Sequence, residues 1–111
     1  MNESPILVRT YDFPLWLVPQ TMKFPRVHRF GLGERIQHLA LDFQDTLVAA
    51  GKSQGLQRFD CLHRADIQLE QIRLWMRFGR DNGLFTIAQY EHAARMITEI
   101  GSLLGGWIKQ Y

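Results

Sequence analysis

The sequence runs to 111 residues, enough for one domain with a modest core. Hydrophobic residues make up 46% of it and charged residues 22%, which excludes a disordered chain. The formal charge of +2 is too small to name a partner by itself, and no apolar run approaches the ~18 residues that cross a bilayer.

In chain order, Met1-Asn2-Glu3-Ser4 lacks the basic and apolar regions of a signal peptide, and residues 1–10 read as a lead-in. Cys61 is the single cysteine, so no internal disulfide forms, and a reducing, cytoplasmic setting is expected. A first helix is expected after Asp12, a fitting N-cap, with Pro14 in its first turn and Pro19 where it should continue. Phe24-Pro25 ends it, because a residue before proline avoids the α region.

A second helix is expected from Arg26 to Ala50, where Leu32, Ile36, Leu39, Phe43 and Leu47 recur at three- and four-residue steps. Gly51 reads as its stop and Ser53 as the cap of a third helix over 54–80, with a main stripe of Leu62, Ala65, Leu69, Ile72, Met76 and Gly79. Asp81-Asn82-Gly83 reads as a turn, and Thr86-Ile87-Ala88-Gln89 as a capping box that opens the fourth helix. Short turns between long helices predict an all-α, antiparallel up-down four-helix bundle occupying residues 1–111 as a single domain.

The third helix carries a second apolar stripe, Leu56, Ile67, Leu74 and Phe78, far around from the first. The fourth, which includes Trp107, is apolar around about half its circumference. Either the first helix covers this surplus or another subunit does; the expected oligomer contacts are Leu56, Ile67, Leu74, Phe78 and Trp107.

Charge is segregated. Residues 23–35 hold Lys23, Arg26, Arg29 and Arg35 against Glu34, a net +3, and residues 73–80 hold Arg73, Arg77 and Arg80, another +3. The remainder of the chain is therefore −4. Antiparallel packing sets the start of the second helix beside the end of the third, so both basic windows are expected at one end, near His28, His92 and Arg95. Guanidinium forks bind phosphate oxygens in pairs and stay charged at any working pH, so Lys23, Arg26, Arg29, Arg35, Arg73, Arg77 and Arg80 are the candidate contacts to RNA or DNA. The plainer alternative is a solvated face, with arginines paired to acids such as Glu34 or Asp42 or favouring a helix C-terminus.

Catalytic signatures are weak. Gly51-Lys52-Ser53 imitates the end of a phosphate-binding loop but lacks the earlier glycine, at Thr46, and a preceding strand. Cys61 and His63 do not share a helix face, and Asp42 with Asp45 lacks ligands from other helices. No enzyme, metal or cofactor is expected.

Several segments resemble the accessory variability determinant (Avd) proteins of diversity-generating retroelements. They are Phe24-Pro25-Arg26 through Arg29, Leu32-Gly33-Glu34-Arg35-Ile36, Ala49-Ala50-Gly51-Lys52-Ser53, Ala65-Asp66 with Leu69, Ile72-Arg73-Leu74-Trp75-Met76-Arg77-Phe78, and Glu99-Ile100-Gly101-Ser102-Leu103-Leu104-Gly105-Gly106-Trp107-Ile108. The same segments are similar to the wider family of four-helix proteins encoded in intervening sequences of 23S ribosomal RNA genes. The resemblance covers nearly the whole chain from Tyr11, and the 73–78 run and the Gly-Trp-Ile ending are its most specific parts. It implies a homopentameric barrel of four-helix bundles with a basic surface. It further implies a non-catalytic protein that binds the element's reverse transcriptase and nucleic acid, in a complex required for adenine-directed mutagenic cDNA synthesis. The alternative within the resemblance is an intervening-sequence bundle protein, RNA-binding or structural, with no transcriptase partner.

Overall fold

A computed structural model describes residues 4–110. Among the described residues the regular structure is entirely helical. Residues 1–3 of the expected lead-in, and Tyr111, lie outside the described residues.

The first helix, α1 (Pro5–Thr21), starts well before Asp12, so most of the expected lead-in is folded. Pro5 occupies a first-turn position where its missing N–H leaves no bond unmade. Ile6, Thr10, Phe13, Leu17 and Thr21 then form one buried stripe that carries the helix through Pro14 and Pro19. The two threonines are tolerated in the core because each hydroxyl donates to a backbone carbonyl of its own helix, Thr10 to Ile6 at 2.7 Å and Thr21 to Val18 at 2.8 Å.

The expected single helix from Arg26 is instead three pieces. A one-turn α2 (Arg26–His28) runs into a π-helical turn (Arg29–Gly33) and then α3 (Glu34–Lys52). Gly33 is buried where this turn packs on the end of α1: a Cβ there would make ordinary van der Waals contacts with the Phe24 ring at 3.5 Å and the Thr21 carbonyl at 3.6 Å. Beyond it, α3 buries Ile36, Leu39, Ala40, Phe43, Thr46, Leu47 and Ala50.

Gly51 lies inside α3 rather than after it, and Ser53 ends that helix rather than capping the next. The Ser53 hydroxyl donates back to the Ala49 carbonyl at 2.7 Å, which removes any likeness to a phosphate loop. Gly55, at φ +58°, makes the actual turn into α4 (Gly55–Asp81). Twenty-seven residues at 1.5 Å each give about 40 Å, so α4 runs nearly the full 44 Å length of the molecule.

Asn82 and Gly83 (φ +72°) close α4 as expected, and the Asn82 amide donates to the Phe78 carbonyl at 2.8 Å. α5 (Ile87–Ile108) opens with both halves of the capping box: Gln89 N–H donates to Thr86 Oγ1 at 3.0 Å, and Thr86 N–H to Gln89 Oε1 at 2.8 Å.

The four long helices enclose a single core, in which Phe13, Leu17, Phe43, Leu47, Leu62, Leu69, Met76, Ile100 and Leu104 are buried. α3 packs on α1 and α4, and α5 packs on α4 and α1. Arg9 near the start of α1 donates to Glu99 late in α5 at 2.6 Å, and Gln89 early in α5 donates to Gln20 at the end of α1 at 3.0 Å. At one end α4 approaches the α4–α5 turn closely: a Cβ on Gly79 would come within 2.7 Å of the Phe85 ring.

Candidate nucleic-acid interface

The basic end is built on Phe24. Its ring is buried and meets Phe85 edge-on, with centroids 5.1 Å apart. This contact ties the corner after α1 to the α4–α5 turn. Gln37 on α3 adds a second tie, donating to the Thr21 hydroxyl at 2.6 Å. Lys23 and Arg26 are exposed on the corner so formed. Arg29 is not free in the same way. It is half-buried, one guanidinium nitrogen reaches the Phe24 carbonyl at 3.4 Å, and its Nε is buried without a partner.

The other expected cations come from α3 and α4. Arg35 lies over the Trp75 ring at 5.7 Å, which brings the start of α3 against late α4. Arg80 stacks over Tyr90 at 4.6 Å and pairs with Asp81 at 2.9 Å. Arg73 pairs with Glu70 at 3.1 Å and reaches across to α5, where a Cβ on Gly101 would stand 2.6 Å from its guanidinium. Arg77 is exposed, with no ion pair or ring contact among the described residues. Arg73 and Arg80 thus each have one carboxylate close by in their own helix. Such exposed pairs contribute about 0–1 kcal/mol and leave the guanidinium open to another anion. Lys23, Arg26, Arg29, Arg35 and Arg77 face no carboxylate within ion-pair distance among the described residues.

Of the histidines expected nearby, His92 packs on the Trp16 ring at 4.8 Å, which makes it part of the α1–α5 contact. Two residues escaped the sequence reading. Arg58 closes the opposite end of the bundle, donating to the Ala50 carbonyl at 2.9 Å and lying over Trp107 at 5.8 Å. Phe30 projects from the π turn into solvent. No group of three or more His, Cys, Asp and Glu side chains among the described residues is placed to hold a metal ion, and no helix there is long and apolar enough to cross a membrane.

A family model described as bAvd-like matches residues 6–111. The chain belongs to the bAvd-like family. No curated protein matches it.

As an Avd-type protein, this chain belongs to a family of accessory proteins, and the apolar faces of the bAvd-like bundle gain interest from that. Leu56, Ile67, Leu74 and Phe78 are exposed along the outer side of α4. α1 is occupied with α3 and α5 and leaves this stripe open. Trp107 differs from these four: it is half-buried against the core beneath Arg58. A second apolar surface lies between α1 and α3, lined by Tyr11, Pro14, Leu15, Val18, Pro19 and Leu41.

Proposed function

We propose that this chain is the non-catalytic accessory protein of a diversity-generating retroelement, binding its reverse transcriptase and RNA or DNA to support mutagenic cDNA synthesis. The family places it among accessory proteins. The observation that carries the nucleic-acid half is the Phe24–Phe85 contact, which draws Lys23 and Arg26 to the end of the bundle where Arg35 and Arg80 also lie. Cations from separate stretches of chain then form one field for a polyanion. The polymerase chemistry belongs to the partner.

The helices run up and down in antiparallel order, a reading supported by the Arg9–Glu99 and Gln20–Gln89 contacts at opposite ends of α1 and α5. Copies assemble as a homopentamer. A ring requires two different faces that fit each other, and the α4 stripe and the α1–α3 surface are two such apolar faces on one chain.

The test is RNA and DNA binding against salt for the wild type and for the double variant Arg73→Glu with Arg77→Glu. Steeply salt-dependent binding by the wild type, lost in the variant, is expected. A flat salt response, or wild-type affinity in the variant, removes the nucleic-acid half. Failure to co-purify with the reverse transcriptase of the same element removes the partner half, and a monomeric mass in solution removes the ring.

A further inference from the structure

The corner between α1 and α3 carries an exposed aromatic ring that the cation argument does not use. Phe30 is 69% exposed and Val27 81%, while Gly33 in the same turn is buried. Single exposed apolar side chains are ordinary. Two features set Phe30 apart. It stands on a π-helical turn, a backbone form found frequently at functional sites. Its surroundings are cationic, with Lys23, Arg26, Arg29 and Arg35 against Glu34 as the one acid between residues 23 and 35.

We infer that this corner binds the unpaired bases of a single-stranded nucleic acid, one base stacking on the Phe30 ring while Lys23 and Arg26 hold neighbouring phosphates. The inference rests on the nucleic-acid reading above and narrows it. A duplex hides the faces of its bases inside the stack, and opening a step costs a few kcal/mol, so a protruding ring stacks most readily where bases are unpaired. An aromatic platform beside a basic track is how proteins hold single strands with little regard to sequence. Arg26 and Phe30 are four residues apart in a helical segment and both exposed, so cation and ring lie on neighbouring surface. Arg29, turned back onto the Phe24 carbonyl, holds the corner in shape.

The experiment uses the full chain and two probes of about 20 nucleotides, long enough to cover a small binding module. One is a single strand carrying a fluorescent adenine analogue that is quenched on stacking; the other is the corresponding duplex. Quenching by the wild type and by Phe30→Tyr is expected. Phe30→Leu, which keeps an apolar side chain but no ring face, should lose the quenching. It should also bind the single strand about tenfold more weakly, with duplex binding unchanged. Wild-type quenching and affinity in Phe30→Leu would overturn this inference and leave the cation reading standing. A changed oligomeric mass in Phe30→Leu would instead assign the ring to a protein contact and overturn it too. If the wild type binds neither probe at any salt concentration, both readings fall together.

Discussion

Leu69 and Ile67 stand two residues apart on α4 and occupy different media: Leu69 is 1% exposed, Ile67 61%. The same split runs along the helix. Leu62, Ala65, Leu69, Ile72, Met76 and Gly79 are buried, while Leu56, Ile67, Leu74 and Phe78 face outward. Fully burying one such large side chain is worth about 1.5–3 kcal/mol, so the outer face forgoes a stabilisation the inner face collects several times over. The inner face is fixed by the fold of one chain. The outer face is not fixed by that fold, and if another copy covers it, as proposed above, substitutions on the two sides should differ in kind as well as in size.

The largest expected effect belongs to the inner face. Leu69→Ala removes a core side chain that also approaches α5 beside Gly101. Urea unfolding should show a loss of about 2–5 kcal/mol at every protein concentration. Ile67→Ala gives the contrasting outcome. In dilute solution, where copies are separate, unfolding free energy should change by no more than about 0.5 kcal/mol. At higher concentration the wild type should gain stability by mass action and the variant should not, with a matching loss of oligomer by mass measurement. Equal losses for the two variants at all concentrations would break the comparison and make the outer face part of the single-chain fold.

The legibility of the sequence follows the same physics. α4 and α5 were readable nearly to their ends, because their signals are local: apolar residues at helical spacing, Asn82-Gly83 as a stop, and a Thr86–Gln89 box whose bonds form within four residues. The start of α1 was misread because Asp12 fits an N-cap, while the buried stripe before it includes Thr10, whose hydroxyl finds a carbonyl in its own helix. The spacing of Ile6, Thr10, Phe13 and Leu17 was the signal that could have found it. The π turn packs on Phe24 and Thr21 at the end of α1, a tertiary contact that no local pattern announces. At the candidate site, the approach of the start of α3 to late α4, where Arg35 lies over Trp75, was legible from the turn lengths. The inward role of Arg29 was not, since it depends on where the Phe24 carbonyl points. Nor was Phe30 singled out, because the helical spacing expected there gave the ring no special place.

The smallest effect on stability is expected at Arg77, and it sharpens the difference between residues that hold the fold and residues held ready by it. Its helix neighbours both have structural work: Arg73 lies across Gly101 and pairs with Glu70, and Arg80 covers Tyr90 and pairs with Asp81. Arg77 shares their side of α4 but touches no carboxylate or ring among the described residues. Arg80→Ala should therefore cost about 0.5–1 kcal/mol in unfolding as well as weakening nucleic-acid binding. Arg77→Ala should leave the unfolding curve unchanged within about 0.5 kcal/mol. In the binding experiment it should lower affinity for RNA or DNA of any sequence and reduce the slope of log affinity against log salt by about 1, the signature of one lost phosphate contact. A shift in unfolding as large as that of Arg80→Ala, with the salt slope intact, would give Arg77 a structural role and leave the middle of the basic run without a ligand.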